Sequence, residues 1–393
     1  MHCQPKVACI VEFAMNRMPY PRDEDWIHPS NNRKNLQLSY ARSAISQLSK
    51  GHSVCFTGPA PLQVAQIDEK TLPDHQKLVF GTGGTTGKPK RVIHLESSLS
   101  SAVDALTSRV GEESFSFVNC LPLNHVGGWM QIERAIRTKG QVFFCSHKDL
   151  TGQVSKSITQ GKWLSLVPTQ LHFLVSSPFA CESLRACKGI LVGGAALSEE
   201  LSQKCRDLQL PVYPTYGMTE TAGMVTLLDA DDFLNGNSSV GFSLPHAELG
   251  LQGNVNRIAI KSQSLCLARE GVVFEPNHWY LSDDFGMQDQ KGHWFVLGRL
   301  DRMIKTGGEM VNPAIVEKII MRNPEVRECS VVAERDERWG EVVTAWIAPG
   351  NLSENSIRDN LKGHLQDHEI PKKWYMVDEL PRSHSGMSNR LTE

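Results

Sequence analysis

Residues 81–90 bring together the residue types that bind a polyphosphate. The stretch reads Gly-Thr-Gly-Gly-Thr-Thr-Gly-Lys-Pro-Lys, with four glycines, three threonines and two lysines. Glycine allows the backbone to come close to a ligand. Threonine hydroxyls and free backbone N–H groups bind phosphate oxygens, and lysine adds positive charge. The pattern predicts a phosphate-binding loop between a buried strand at residues 78–80 and a helix that begins near His94.

This loop is neither of the two common nucleotide-binding loops. A Walker A loop has glycine five positions before its Gly-Lys pair and Ser or Thr after it. Thr82 and Pro89 stand at those positions. The dinucleotide fingerprint fails because Thr86 stands where its third glycine belongs. A plain glycine-rich turn remains the alternative at this point.

Further polar or glycine-containing segments follow predicted strands along the chain. His125 lies in a Leu-Pro-Leu-Asn-His-Val-Gly-Gly loop, and a Gly-Gly-Ala-Ala segment begins at Gly193. A Tyr-Gly-Met-Thr-Glu-Thr segment begins at Tyr216. Each has a structural explanation as well: a solvated loop histidine, turn glycines, and a helix N-terminus with Glu220 in its first turn. An Asp pair that ends at Asp284 reads equally well as a surface turn.

Short apolar segments alternate with helical spacers between residues 77 and 230. Predicted strands lie at residues 78–80, 116–120, 142–145, 164–167, 189–192 and 212–213. Predicted helices begin near His94, Gly128, Thr151, Thr169, Ser198 and Thr219. This alternation favours a doubly wound, mostly parallel sheet, which binds its ligands beyond the carboxyl ends of its strands.

The chain is predicted to be an α/β protein of two domains. The larger domain, residues 1–298, contains the parallel sheets and a small β subdomain at residues 240–297. The smaller domain, residues 299–393, has a helix–strand–strand–helix–strand pattern and is expected to be a mobile α+β lid.

Composition excludes several classes of function. Charged residues make up 21% of the chain and the formal net charge is -2, so a surface for nucleic acid or anionic lipid is not expected. The ten cysteines are scattered without a Cys-x-x-Cys pair, which argues against a structural metal. Free cysteines are typical of the reducing cytoplasm. Residues 1–11 do not read as a signal peptide, and no apolar run is long enough to span a membrane.

The loop at residues 81–90 resembles the phosphate-binding signature of the adenylate-forming superfamily. That superfamily includes acyl-CoA synthetases, firefly luciferase and the adenylation domains of peptide synthetases. Its usual pattern is Thr-Ser-Gly-(Ser/Thr)-Thr-Gly-x-Pro-Lys-Gly, from which this chain departs at Gly83 and Arg91. Residues 216–221 and 298–309 are similar to two later motifs of the superfamily, in the same order.

The resemblance implies roles for residues in the larger domain. His125 would line the pocket for the carboxylate and acyl group. Thr219 would hold a phosphate or carboxylate oxygen, and Glu220 would hold Mg²⁺. The ATP- and AMP-binding residues implied there are Thr82, Gly83, Gly84, Thr85, Thr86, Gly87, Lys90, Gly193, Gly194, Ala195, Tyr216 (stacking on adenine) and Gly217.

The resemblance also implies roles further along the chain. Asp284 aligns with the acid that binds both ribose hydroxyls, although Ser282 and Asp283 depart from the usual Thr-Gly-Asp. Arg299 would reach the ribose or a phosphate, and Asp301 would be the hinge of the lid. Lys305 would face the active site in the thioester-forming state. Superfamily members carry more residues before the phosphate loop, so the N-terminal part of this chain is expected to be shortened.

One residue of the superfamily pattern is missing. The last motif is Pro-Arg-Thr-x-x-Gly-Lys-x-x-Arg, and Met387 stands where its lysine belongs. The resemblance implies that this lysine neutralises charge between the acyl carboxylate and the α-phosphate. Removing one such donor costs roughly 10²–10³ in rate. Formation of the acyl adenylate is therefore expected to be slow unless another cation substitutes.

The predicted activity is that of an ATP-dependent acid–CoA ligase, an AMP-forming acid–thiol ligase that works through an acyl adenylate. The Leu-Pro-Leu-Asn-His-Val-Gly-Gly, Val-Pro-Thr-Gln-Leu and Gly-Gly-Ala-Ala-Leu segments look most like those of the 2-succinylbenzoate–CoA ligases of menaquinone and phylloquinone biosynthesis. The expected ligands are ATP, Mg²⁺, CoA and a small carboxylic acid. A ligase for another aryl or short acid and a non-catalytic nucleotide- or acyl-binding relative remain alternatives. The oligomeric state is left open, with a homodimer as one alternative.

Overall fold

The computed structural model describes residues 9–12, 41, 43–46, 48, 54–56, 77–82, 90–152, 155–348 and 353–380. The chain divides into two compact units. The first contains residues 1–250, 259–281 and 288–296, and the second contains residues 251–258, 282–287 and 297–393. Six of the predicted site residues lie outside the described residues: Gly83, Gly84, Thr85, Thr86, Gly87 and Met387.

The strands of the described residues follow one another in chain order. They are β1 (Cys9–Glu12), β2 (Val54–Phe56), β3 (Lys77–Thr82), β4 (Lys90–Leu95), β5 (Phe117–Asn119), β6 (Gln141–Phe144), β7 (Trp163–Leu166), β8 (Gly189–Val192), β9 (Val212–Met218), β10 (Gly223–Leu227), β11 (Phe242–Ser243), β12 (Ala247–Gln252), β13 (Arg257–Ser262), β14 (Ala268–Arg269), β15 (Val272–Val273), β16 (Tyr280–Gln288), β17 (Trp294–Arg299), β18 (Ile304–Thr306), β19 (Glu309–Val311), β20 (Glu328–Asp336), β21 (Gly340–Ala348) and β22 (Lys373–Met376).

The α-helices whose first and last residues both lie in the described part of the chain are α1 (Glu96–Val110), α2 (Val126–Thr138), α3 (Ser155–Thr159), α4 (Pro168–Leu174), α5 (Pro178–Arg185), α6 (Glu199–Asp207), α7 (Ala230–Leu234), α8 (Pro313–Ile320) and α9 (Glu354–Leu361). Single turns of 3₁₀-helix lie at His147–Thr151, Thr219–Thr221 and Leu300–Arg302. Among the described residues, no helix has the length and apolar character needed to cross a membrane.

An eight-stranded sheet dominates the first unit. Its order is β1-β6-β5-β7-β8-β9-β10-β11. The five strands from β6 to β9 run parallel, while β1, β10 and β11 join antiparallel at the two edges. Every residue of β7 and β8 is buried, as expected for parallel strands covered on both faces. The predicted α/β class with a mostly parallel sheet is confirmed.

The predicted strand–loop–helix arrangement around the phosphate loop is wrong in one respect. β3 and β4 pair antiparallel, with Thr82 opposite Lys90, so the loop connects two strands. α1 begins at Glu96, and His94 lies on β4. The segment Lys90–Leu95 contains two buried β-branched residues, Val92 and Ile93, which favour a strand. The sheet containing this hairpin has the order β15-β14-β4-β3-β2.

The helix predicted near Thr219 is also wrong. Thr219–Thr221 form a single 3₁₀ turn that ends at Ala222 in a left-handed conformation, with φ of 54°. The chain then enters β10, which returns antiparallel to β9. β9 itself is longer than the predicted strand at residues 212–213 and runs as far as Met218. Pairing with two neighbouring strands overrides the helical preference of this short segment.

The second unit contains the predicted helix–strand–strand–helix–strand pattern. β20 and β21 pair antiparallel along their full lengths, β22 joins β21 in parallel, and α8 and α9 follow in the expected places. The hairpin formed by β18 and β19 was not predicted. The small β subdomain predicted at residues 240–297 corresponds to β11–β17. Of these, β12, β13, β16 and β17 form a four-stranded sheet in that order.

Two adjacent glycines at the start of α2 allow a test of how tightly the loop before this helix is packed. A β-carbon on Gly128 would lie 2.1 Å from the carbonyl oxygen of Pro122, whereas one on Gly127 would lie 3.4 Å from a side-chain carbon of Leu121. Gly128→Ala should lower the free energy of unfolding by about 1–3 kcal/mol, because backbone atoms must move. Gly127→Ala should change it by less than about 1 kcal/mol. Urea denaturation measures both, and equal effects would contradict the described packing.

Candidate functional site

The loops that follow β5, β7 and β8 contact one another at one edge of the main sheet. The side-chain amide of Gln170 donates to the carbonyl oxygen of Cys120 at 3.4 Å. The backbone N–H of Gly193 donates to the carbonyl oxygen of Leu166 at 3.3 Å. Parallel neighbours place their carboxyl ends together, so the His125 loop, the start of α4 and the Gly-Gly-Ala segment share one edge, as predicted.

His125 lies at the N-terminus of α2 with an extended backbone and an exposed side chain. Partial desolvation by neighbouring protein lowers the pKa of its imidazole. Asn119, fully buried at the end of β5, fixes the loop at both ends. Its side-chain amide donates to the carbonyl oxygen of Gly128 at 2.9 Å, and its side-chain oxygen accepts from the backbone N–H of Leu121 at 2.9 Å. Asn119 was not predicted, although an amide within an apolar strand was a usable signal.

The glycines predicted to approach the nucleotide are also required by packing. A β-carbon on Gly193 would lie 2.4 Å from the Oγ1 of Thr215, and one on Gly217 would lie 1.9 Å from the carbonyl oxygen of Gly223. Gly194 has a positive φ of 83°, and Gly194 and Ala195 are exposed. These contacts give a structural reason for glycine at both packed positions. The nucleotide-binding roles remain predictions.

The turn Thr219–Thr221 is held through each of its backbone carbonyl groups. The Nε2 of His94 lies 2.7 Å from the carbonyl oxygen of Thr219. The backbone N–H of Cys266 donates to the carbonyl oxygen of Glu220 at 2.8 Å, and the hydroxyl of Ser264 donates to the carbonyl oxygen of Thr221 at 2.8 Å. Two separate parts of the chain, β4 and the segment before β14, therefore set the position of this turn.

His94 is held in one tautomer by its surroundings. A carbonyl oxygen can only accept, so the Nε2 of His94 carries the proton that is donated to Thr219. Nδ1 lies 2.9 Å from the hydroxyl oxygen of Ser98. The imidazole is fully buried, and desolvation lowers its pKa to about 4. His94 is therefore neutral at pH 7. From the sequence, His94 was predicted only to begin a helix.

The carboxylate of Glu220 is buried and has a cationic neighbour. The Nε of Arg269 lies 3.2 Å from its Oε1. The Nε–H is not directed at that oxygen, so the contact is an ion pair without a hydrogen bond from this nitrogen. The Nη1 of Arg269 donates to the hydroxyl of Tyr280 at 2.7 Å. Arg269 was not predicted as part of the site.

Glu220 has the chemistry of a magnesium ligand. Mg²⁺ prefers oxygen ligands and commonly takes one or two protein carboxylates together with substrate phosphates. Within the part of the chain that the structure describes, no group of three or more His, Cys, Asp or Glu side chains could hold a metal by itself. One carboxylate fits an ion that arrives with a triphosphate. Such an ion supplies positive charge that balances the phosphates.

The base of the predicted phosphate loop is formed by Thr82 and Lys90, which are paired across the β3–β4 hairpin. The Nζ of Lys90 lies 3.9 Å from the Oε2 of Glu270, and the lysine side chain is partly exposed. This is a weak, solvent-screened ion pair. Lys90 thus lies at the edge of the loop with part of its side chain in contact with solvent, and its phosphate-binding role remains a prediction.

In the second unit, three further predicted residues form one charge cluster. Arg299 donates to both carboxylate oxygens of Asp301, at 2.9 and 3.1 Å, and to Asp284 at 3.4 Å. Hydrogen bonding to Asp301 and the nearby carboxylates raise the pKa of the Arg299 guanidinium above its ordinary range. Asp284 is buried, and its backbone N–H donates to the hydroxyl of Ser282 at 3.1 Å. Arg299, Asp284 and Asp301, all predicted as site residues, are therefore in contact. Their roles in binding ribose and in the hinge stay predictions.

Lys305 lies on β18 with an exposed side chain. Its backbone N–H donates to the side chain of Glu341 at 3.1 Å. The hairpin turns at Gly307 and Gly308, whose φ angles of 58° and 94° explain the glycine pair. The predicted role of Lys305 in the thioester-forming state is untested.

The sequence matches two domain families. Residues 19–255 match the AMP-binding enzyme family, and residues 315–387 match the AMP-binding enzyme C-terminal domain. The chain therefore belongs to the AMP-binding enzyme family, and the predicted superfamily is confirmed. A 2-succinylbenzoate–CoA ligase of Lactococcus lactis is 30% identical over 343 residues, which cover 84% of this chain and 72% of that protein. A 2-succinylbenzoate–CoA ligase of Bacillus cereus is 29% identical over 83% of this chain and 71% of its own length.

Solved structures agree with these sequence matches. The o-succinylbenzoate CoA synthetase of Bacillus subtilis, in complex with the acyl-adenylate intermediate OSB-AMP, has a TM-score of 0.69 and 25% identity, covering 89% of this chain and 74% of its own. The same enzyme in complex with ATP and magnesium ion has a TM-score of 0.68 and 26% identity, covering 80% of this chain and 68% of its own. The predicted class, an adenylate-forming enzyme with an α/β fold, is confirmed.

Two buried neutral histidines predict how stability depends on pH. Burial lowers the pKa of His94 and of His246 to about 4, below the ordinary value of 6.5. Between these values the unfolded chain binds protons that the folded chain does not. The free energy of unfolding should therefore fall as pH drops from 6.5 toward 4, by up to about 1.4 kcal/mol per pH unit for each histidine.

Urea denaturation between pH 4.5 and 7 measures this slope. His94→Gln keeps a donor for Thr219 but cannot be protonated, so it should make the slope shallower, as should His246→Gln. The two substitutions together should remove both contributions. An identical slope in the unsubstituted protein and in all three variants would contradict the assignment.

Proposed function

We propose that this protein is an ATP-dependent acid–CoA ligase that converts 2-succinylbenzoate to 2-succinylbenzoyl-CoA through an acyl adenylate. The similarity to the Lactococcus lactis ligase, 30% identical across 84% of this chain, carries the proposal. The neighbour solved with its acyl-adenylate intermediate supports the same chemistry. The pathway that the proposal implies is menaquinone or phylloquinone biosynthesis.

The first half-reaction is attack of a carboxylate oxygen of the acid on the α-phosphorus of ATP, with release of pyrophosphate. In this proposal, the loop at residues 81–90 binds the phosphates, Tyr216 and the Gly193 segment bind adenine, and Glu220 accepts Mg²⁺. Asp284 and Arg299 bind the ribose and a phosphate. The fixed carbonyl groups of residues 219–221 support this assignment, because a held turn presents Thr219 and Glu220 with little loss of conformational entropy.

The second half-reaction is attack of the CoA thiolate on the acyl adenylate, with release of AMP. The proposal divides the chain into residues 1–298 and a lid at residues 299–393, with Asp301 as hinge and Lys305 in the lid. It places the enzyme in the cytoplasm, where thiols such as the buried cysteines 120, 145 and 181 stay reduced. A homodimer is one arrangement consistent with it, and light scattering measures the oligomeric state.

Met387 stands where the superfamily has a lysine that assists the first half-reaction, so the rate of that half-reaction tests the proposal most directly. Methionine has neither the charge nor the hydrogen-bond donors of the lysine that the superfamily has at this position. Met387→Lys should therefore raise the rate of acyl-adenylate formation by roughly 10²–10³-fold. ATP- and CoA-dependent thioester formation with 2-succinylbenzoate, followed by mass spectrometry, measures this directly. Met387→Gln, which adds a neutral donor, is the matched control for charge.

Each outcome separates the remaining alternatives. Thioester formed equally fast by both proteins means that another cation has replaced the lysine. Thioester formed only by Met387→Lys means that the acid pocket is intact and the natural first step is disabled. If neither protein forms thioester while both bind ATP, 2-succinylbenzoate is the wrong acid or the chain is a binding protein. A panel of other aryl and short acids then distinguishes those two cases.

A further inference from the structure

Arg269 lies on a strand next to β4 and contacts Glu220. It belongs to β14, which pairs antiparallel with β4, and it stands opposite Val92. Lys90, which begins β4, is the first residue of the described chain after the loop. The side chain of Arg269 extends to the Glu220 carboxylate, with 3.2 Å between Nε and Oε1. A permanent positive charge is thus present beside the carboxylate that is proposed to hold the metal.

This arginine is fixed in place. Its Nη1 donates to the hydroxyl of Tyr280 at 2.7 Å, and its side chain is only 23% exposed. The Glu220 side chain is 9% exposed. A carboxylate this far from water is costly unless a cation accompanies it. Because Tyr280 holds the guanidinium, Arg269 stays near Glu220 whether or not a metal is bound.

A divalent cation that approaches Glu220 therefore meets a resident positive charge. A metal ion without ATP is attracted only weakly, because Arg269 already balances the charge of Glu220, and the guanidinium repels it. An ion that arrives with a triphosphate brings several negative charges, which attract the guanidinium as well. The Arg269 side chain keeps part of its surface in contact with solvent, and a guanidinium is a cation suited to phosphate oxygens.

We propose that Arg269 is the resident counter-ion of Glu220, and that it makes divalent-cation binding at this carboxylate depend on the triphosphate. In consequence Arg269 reduces the extent to which ATP binding requires Mg²⁺. The proposal rests on the proposed function, because it takes ATP as the ligand of this site. It concerns how charge is balanced there and leaves the identity of the acid aside.

The quantity to measure is the ratio of two dissociation constants for ATP, one in EDTA and one in saturating Mg²⁺, both by calorimetry. Arg269→Gln removes the charge at similar length. In EDTA, the phosphates of ATP then lose the attraction of the guanidinium. In Mg²⁺, the ion binds a Glu220 carboxylate that no arginine neutralises. The ratio should rise about tenfold. Arg269→Lys, which keeps the charge, should stay closer to the unsubstituted protein.

Two controls isolate the Glu220 contact. Arg137→Gln removes a similarly half-buried arginine that pairs with Glu96 and Asp104 on the surface, and it should leave the ratio unchanged. In a Glu220→Gln background, Arg269→Gln should raise the ratio by clearly less, because no carboxylate is left there for the metal to gain. Thermal unfolding checks that each variant is folded.

The outcomes distinguish this proposal from the proposed function. ATP binding with an unchanged or smaller ratio in Arg269→Gln overturns the role of Arg269 alone. An equal rise in the Glu220→Gln background also overturns it, because the effect would not pass through this carboxylate. Absence of ATP binding by the unsubstituted protein overturns the proposed function, and this inference with it.

Discussion

Buried carbonyl groups need hydrogen-bond donors, and the proposed site depends on how this requirement is met at residues 219–221. The turn joins β9 to β10, two antiparallel strands of the main sheet. Its three carbonyl oxygens accept from His94, from the backbone of Cys266 and from Ser264. One donor comes from the strand that follows the phosphate loop, and two come from the segment before β14. A single turn thus links β4, the main sheet and the segment that leads to β14, the strand that carries Arg269.

Charge is balanced inside each unit by its own residues. In the first unit Arg269 accompanies Glu220, and in the second Arg299 accompanies Asp284 and Asp301. Carboxylates removed from water need such partners, so these side chains have a structural reason to be present before any ligand binds. The same pairs supply ligand-binding chemistry, since a carboxylate can exchange one cation for another. Stability and the proposed function therefore depend on the same contacts.

Secondary structure was predicted correctly where the residues of a segment and its immediate neighbours are enough to specify it. The strand at residues 189–192 was predicted with the bounds observed, because a glycine and three apolar residues are followed by a glycine pair. Prediction failed where pairing decides the structure. Lys90–Leu95 was taken as part of a loop and helix, yet it is a strand through its pairing with β3 and β14. The hairpin of β18 and β19 has short strands with polar residues, so only its pairing with β21 reveals it.

The sequence by itself determined the family and the order of its motifs, because glycines, threonines and carboxylates at fixed spacing are chemical requirements that a linear pattern records. It also indicated Glu220 and the three residues of the Arg299 cluster, but not the contacts that these side chains make. Only the tertiary structure decided that His94 meets Thr219, 125 residues away, that Asn119 fixes the His125 loop, and that Arg269 accompanies Glu220. These partners come from strands brought together by sheet formation. Their choice depends on distance and burial in the folded chain, which no spacing along the sequence specifies.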